Sequence, residues 1–331
     1  MKESVGKLRS LLSVLGSGNR VIIQTHNFPD PDAIGTAFGL QYLLGIYGID
    51  ATCVYCGRID KLSTKLMVDE LGIKIFNADR FKTTDDDLVI TVDGQRSNAN
   101  FTDIPGNEVA CIDHHPWSTD YEYRFVDHRM YGACATIIVD YFFDNDIEVP
   151  TNVATALLYA IKVDTNNFCR RVTEEDITAY QRLNSISDNK LMTRLGSNEL
   201  ELTDLRAYGA AIQNIVVYDV IGFVHIPFDC PDGLVAMVSD FILSLDSVEL
   251  AIVYADRDGG YKFSVRSEID DISAGRLTKK ALEGIGDGGG HAEMAGGMIS
   301  PLSRAELGHN ADAPIRERFL NAYKSIISGD N

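Results

Sequence analysis

The sequence lacks any apolar run of about 18 residues, the minimum for a membrane-spanning helix, and lacks a basic-then-apolar amino-terminal stretch of the secretory kind. A cytoplasmic protein with no membrane partner is expected. Basic residues are scarce relative to acidic ones: 30 Lys and Arg face 48 Asp and Glu, a formal net charge of -18. That deficit argues against a general surface that grips long duplex nucleic acid, which needs a broad basic face. A short anionic substrate stays open, provided that metal ions and a few basic groups reverse the field locally. Cysteine occurs at 53, 56, 111, 134, 169 and 230, but Cys53 and Cys56 form a C-x-x-C with no second pair for a structural zinc. Nor does this motif open a helix, as a redox site would want, because Ala51 to Tyr55 reads as a strand. The cysteines read instead as small apolar residues in a reducing compartment. Internal repeats and low-complexity segments are absent.

What is present is a chain of 331 residues, long enough for two domains. In the first part, β-rich runs at Val21 to Thr25, Asp87 to Val92 and Val109 to Ile112 are joined by helical patterns at Ala33 to Tyr47, Thr136 to Phe143 and Ala154 to Val163. Such alternation predicts an α/β fold with a mainly parallel, doubly wound sheet. Residues 188–210 turn polar and helix-like without a strong apolar stripe, which predicts a linker between domains at 1–187 and 211–331. The second domain reads as a smaller α/β unit, with a cleft between the two. Its strands fall at Ile215 to Ile226, Val248 to Ala255 and Tyr261 to Arg266, with a turn at Asp258 to Gly260. A helix follows at Ala274 to Leu282, then a glycine-rich loop at Gly284 to Gly290 and a closing helix at Ala311 to Ile327.

Chemistry concentrates in the first domain. His26-Asn-Phe-Pro-Asp30-Pro-Asp32 places three candidate ligands in seven residues stiffened by two prolines. Crowded carboxylates repel unless a cation lies between them. Alternatively, Asp32 caps the helix that starts at Ala33. Asp93 ends one strand, Asp113, His114 and His115 end another, and Asp164 ends an apolar element. Ligands in parallel sheets gather at the carboxyl ends of strands, where these residues are expected. A set of oxygen and imidazole donors without cysteine suits Mn²⁺, with Mg²⁺, Fe²⁺ or Co²⁺ as options, and two such ions would serve phosphoryl chemistry.

These four segments, in this order, resemble the motifs of the DHH/DHHA1 phosphoesterase family, which includes nanoRNase and pAp phosphatase proteins and the RecJ exonuclease core. The resemblance implies that His26, Asp30 and Asp93 hold one divalent cation and Asp32, Asp93, His114 and Asp164 the other, with Asp93 as bridge and water as nucleophile. It implies that His115 contacts the scissile phosphate and that Asp113 orients its neighbours. Downstream, Val265-Arg266-Ser267 and Gly288-Gly289-Gly290-His291 resemble the DHHA1 substrate-binding motifs. There, Arg266, Ser267, Gly288, Gly289, Gly290 and His291 would bind substrate, the glycines by close backbone approach and Arg266 as a phosphate clamp.

The expected activity is hydrolysis of short nucleotide substrates: oligoribonucleotides, linear dinucleotides or pAp. A polyphosphatase or pyrophosphatase is the competing enzyme, and a catalytically silent nucleotide-binding regulator the competing non-enzyme. A homodimer is compatible with the sequence.

Overall fold

The computed structural model describes residues 3–16, 18–197, 200–308 and 311–328. The chain forms two compact units, Met1–Glu199 and Leu200–Asn331. In the first unit, α1 (Glu3–Leu15) precedes β1 (Val21–Thr25), α2 (Pro31–Ile46), β2 (Ala51–Tyr55), α3 (Leu62–Leu71) and β3 (Ile75–Asn77). Three further strands follow, β4 (Leu88–Val92), β5 (Asn107–Asp113) and β6 (Phe125–His128), and then α4 (Cys134–Asp144), α5 (Thr151–Asp164), α6 (Glu174–Leu183) and α7 (Asn189–Ser197).

The sheet order is β3-β2-β1-β4-β5-β6, and every neighbouring pair is parallel. Its central strands are VIIQT and LVITV, buried at every position, the near-continuous apolar reading that a covered parallel sheet requires. Side chains alternate between two faces. Val21, Ile23, Cys53, Ile90 and Val92 enter the large core with α1, α2, α4 and α5, whereas Ile22, Val54 and Val89 meet Ile104, Ala78 and Phe81 in a small cluster.

Residues 188–210 are not a bare linker. Leu191, Met192 and Leu195 on α7 pack into the first core, and Ala207 and Ala211 pack into the second unit from α8 (Leu205–Asn214). A narrow apolar edge suffices to dock each helix, which is why the polar composition misleads.

The second unit continues from α8 with β7 (Val216–Tyr218), β8 (Ile221–Asp229), α9 (Asp232–Leu243), β9 (Leu250–Arg257), β10 (Gly260–Ser267) and α10 (Ala274–Leu282). It closes with β11 (Gly286–Gly290), β12 (Met294–Ile299), α11 (Pro301–Glu306) and α12 (Asp312–Ser328). The order is β11-β12-β10-β9-β8-β7, antiparallel except for β8 with β9. Two expectations change here. The strand expected over Ile215 to Ile226 is a hairpin that turns at Asp219, whose φ is 54°. The expected glycine-rich loop is an edge strand, because Gly286, Gly288 and Gly290 let β11 approach β12 and α10 more closely than side chains would allow. No helix among the described residues is long and apolar enough to cross a membrane.

Candidate metal centre

The chain runs from β1 to β2 on one side of the sheet and from β4 to β5 on the other, so β1 and β4 flank the point where strand order reverses. Side chains at the carboxyl ends of such strands face the crevice where parallel sheets bind ligands. His26 directly follows β1, Asp93 follows β4, and Asp113, His114 and His115 lie at the end of β5. Asp30 caps α2, its Oδ1 accepting from the Asp32 and Ala33 amides at 2.9 and 3.1 Å, with Pro31 in the first helical position. Asp32 therefore lies inside its own helix. It caps a different one: its carboxylate accepts from the Cys134 and Ala135 amides at the start of α4, at 2.7 and 2.9 Å. Asp164 is the last residue of α5.

These residues converge. Asp93 presents Oδ2 to His26 Nε2 at 3.5 Å and Oδ1 to His114 Nε2 at 3.3 Å. His26 Nε2 is also 3.8 Å from Asp30, and His114 Nε2 is 3.8 Å from Asp32 and 3.5 Å from Asp164. His26, Asp30 and Asp93 form one set with ligand atoms within 4.8 Å of one another, and Asp32, His114 and Asp164 another. A third set combines Asp93, His114 and His115. Both imidazoles are oriented by backbone. His26 Nδ1 lies 2.8 Å from the Asn27 carbonyl and His114 Nδ1 2.9 Å from the Tyr131 carbonyl, so each Nδ1–H donates outward and each Nε2 faces the cluster.

The electrostatics fit a cation. Burial pushes the His26 and His114 pKa values down, but the surrounding aspartates outweigh it and hold both up at about 11. Asp93 is held well below its ordinary value, burial being overcome by the two imidazoles. Burial and then repulsion from Asp93 raise Asp32 and push Asp164 up to about 6. By itself the cluster balances its charge with protons, which divalent cations would displace. Asp93 Oδ1, His114 Nε2 and Asp164 Oδ2 are buried without a hydrogen-bond partner. Two orphaned carboxylate oxygens within 3.5 Å of an orphaned imidazole nitrogen fit metal ligation better than they fit a packed interior.

Around this centre, Asp113 is fully buried and its Oδ1 accepts from His115 Nδ1 at 2.9 Å, fixing that ring 3.6 Å from Asp93. Gln95, which the sequence did not single out, is also buried and donates to Asp113 Oδ2 at 2.6 Å. Its only signal was its position just past Asp93. His128 ends β6 and its Nε2 lies 2.6 Å from the His115 carbonyl. Arg96 stacks over Tyr121 and pairs with Asp103, while Trp117 packs edge-on against His128.

The second-unit candidates lie at one end of its sheet. Arg266 pairs in register with Met294, whose carbonyl accepts from the His291 amide, and the Ser267 amide donates to the Glu293 carbonyl. Gly290 stands opposite Ala295, next to Met294. Arg266 donates from Nε to Asp240 at 2.6 Å and from Nη1 to Ser264 and to the Val265 carbonyl, bonds that leave Nη2 for a ligand. Ser267 is buried; His291 and Gly289 are exposed.

A parallel sheet carrying clustered aspartates and histidines at its switch point is the arrangement that a divalent-cation site requires. Two family models match the chain, the DHH family N-terminal domain over residues 20–161 and the DHHA1 domain over 213–317, and the protein belongs to the DHH/DHHA1 family of phosphoesterases. It is 25% identical to the cyclic-di-AMP phosphodiesterase GdpP of Bacillus subtilis, over 94% of this chain and 49% of that one. It is 24% identical to the probable bifunctional oligoribonuclease and PAP phosphatase NrnA of Streptococcus mutans, over 90% of this chain and 95% of that one. A third relative, the uncharacterized protein MJ1633 of Methanocaldococcus jannaschii, is 28% identical over 84% of this chain. The chain thus spans about half the length of some relatives, 58% of the M. jannaschii protein and 49% of the B. subtilis one. The fold is shared with an exopolyphosphatase-related protein from Bacteroides fragilis, with a TM-score of 0.72 at 18% identity over 96% of this chain and 98% of that one.

Proposed function

We propose that the protein hydrolyses a phosphoester bond in short nucleotides, such as oligoribonucleotides of a few residues, linear dinucleotides or pAp. The reading assigns His26, Asp30 and Asp93 to one divalent cation and Asp32, Asp93, His114 and Asp164 to a second. Mn²⁺ is the favoured ion, given the mixed oxygen and imidazole donors. The observation that carries this reading is the split of Asp93, one carboxylate oxygen toward each histidine at 3.5 and 3.3 Å. Bound there, the pair of ions would supply Lewis-acid charge and lower the pKa of an attacking water.

The rest is the work of side chains. Asn27 and Tyr131 carbonyls hold the two imidazoles with Nε2 inward. Asp113 holds His115 through Nδ1, which leaves Nε2 of a partly exposed ring to touch the scissile phosphate. Arg266 and the Gly288–His291 segment would take a second phosphate or a base, Arg266 through Nη2. The relative of matching length, a probable oligoribonuclease and PAP phosphatase, supports small nucleotides as substrates.

Turnover of pAp, pApA, cyclic dinucleotides, short RNA and pyrophosphate with Mn²⁺ tests the reading. Mononucleotide or phosphate release from the nucleotides is the expected result. Hydrolysis of pyrophosphate alone would replace it with the pyrophosphatase alternative, and tight dinucleotide binding without cleavage would replace it with the silent regulator.

A further inference from the structure

Phe28 stands midway between His26 and Asp30, so its Cα lies within about 7 Å of both. It is among the more exposed large apolar residues, at 54%. Its φ is 54°, a left-handed conformation rare and costly for a bulky side chain. The surrounding backbone imposes that conformation. The Phe28 amide donates to the Cys56 carbonyl at 3.0 Å, and the Asn27 amide donates to the Asn100 carbonyl at 2.7 Å. The Asn27 side chain donates to Thr102 Oγ1 at 2.9 Å and accepts from the Thr102 amide at 3.1 Å. The ring rests on Gly57, where a Cβ would come within 3.0–3.1 Å of three ring carbons, so the absence of a side chain there seats it.

A lone exposed phenylalanine needs no explanation. One held in a strained conformation by four backbone and side-chain bonds, backed on one side by glycine and open on the other, is a prepared flat surface beside the metal centre. We infer that Phe28 is a stacking platform for the nucleobase of a nucleotide whose phosphate lies at the His26–Asp30 end of the centre. The inference rests on the phosphoester reading for the position of the phosphate. It adds what the metal ligands lack, since carboxylates and imidazoles around a cation recognise phosphate and carry no preference for a base.

The test is calorimetric binding of AMP and of orthophosphate to the Mn²⁺-loaded full chain. Phe28→Ala should weaken AMP by roughly 5- to 150-fold, the span expected for loss of one stacked base, and leave orthophosphate unchanged. Phe28→Trp should keep AMP affinity, and retained phosphate binding certifies that the alanine variant is folded. AMP affinity within about twofold of wild type in Phe28→Ala, or an equal loss for phosphate, overturns the inference. Failure of the phosphoester reading shows elsewhere, as wild-type protein that binds AMP yet turns over no nucleotide.

Discussion

The two units are built from similar parts and differ in what they bury. In the first, Asp32, Asp93, Asp113 and His114 are each at most 5% exposed, and Phe28, Asp93, Asn166, Asn167 and Phe168 adopt positive φ beside the metal centre. In the second, the buried polar residues among those described are Ser239, Ser264, Ser267 and Thr278, all uncharged, and positive φ outside glycine occurs only at Asp219 and Asp258 in hairpin turns. Buried charge and backbone strain both cost free energy and persist where the surroundings over-determine them. Both occur together at the carboxyl ends of the central strands, the pattern of a working site rather than of a packed core, while Asp87, Glu108, Asp127 and Asp176 are buried elsewhere in the first unit. The second is an ordinary packed sheet whose functional candidates sit on its rim.

The sharpest way to break this contrast is Asp93→Ala. It removes the carboxylate that faces both His26 and His114, so turnover should fall by at least about 1000-fold, some 4 kcal/mol in barrier. Mn²⁺ should also lose its stabilising effect on the variant. Activity near wild type would dissolve the distinction between the units. Next in size is metal removal. Chelation should destabilise the first unit by about 3 kcal/mol if Mn²⁺ had been present at a hundred times its dissociation constant. Hydrogen exchange should then quicken at the carboxyl ends of β1, β4 and β5 and leave the β8 to β10 strands unaffected. Uniform quickening in both units would contradict the assignment.

The same contrast explains what the sequence disclosed. Buried strands of the first unit are mostly apolar runs rich in β-branched residues, and strand-end residues such as Asp93 and His114 stand out because charge follows apolar sequence abruptly. Motif spacing then named the residues that the fold brings into one cluster. The bracing residues were hidden: Gln95 reads as loop polarity, yet it is fully buried against Asp113. Asp32 showed its carboxylate in the sequence but not the distant helix it caps, since contact with Cys134 exists only once α4 is folded beside α2. In the second unit, local reading failed where glycine did the work. Gly286 to Gly290 carry no β-propensity, and their strand is dictated by tertiary approach to β12 and α10. The helix Asp232–Leu243 and the strand Met294–Ile299 escaped notice, the latter because Gly296 and Gly297 break its pattern.

A smaller effect sharpens the role of the second unit. Arg266→Ala should raise KM for nucleotide substrates about tenfold and leave kcat within a factor of about three, because the guanidinium would bind ground state and transition state alike. Asp240→Ala, which frees Arg266 Nε, should alter KM in the same assay by less. An unchanged KM in Arg266→Ala would confine substrate recognition to the first unit.

The least effect expected probes how the first unit tolerates buried charge beyond its metal centre. Glu108 on β5 is 3% exposed, its Oε2 has no hydrogen-bond partner, and Arg96 Nη1 approaches only to 3.9 Å. Burial pushes its pKa up to about 7, with Arg96 opposing the rise and Asp103 adding to it. Between the ordinary glutamate value and 7, the folded protein holds a proton that the unfolded chain has released. Stability contributed by this group is therefore lost as pH rises through 7, and the loss is complete above it. Glu108→Gln keeps the shape of the protonated form and removes the titration. It should raise the melting temperature at pH 8 by roughly 2–4 °C, about 1 kcal/mol for a unit of this size, and by little at pH 5. A gain at pH 5 equal to that at pH 8 would mean that glutamine packs better for reasons of shape alone. A loss at pH 8 would mean that the Arg96 pairing outweighs desolvation, and that the first unit accepts buried carboxylates only where they are matched by charge.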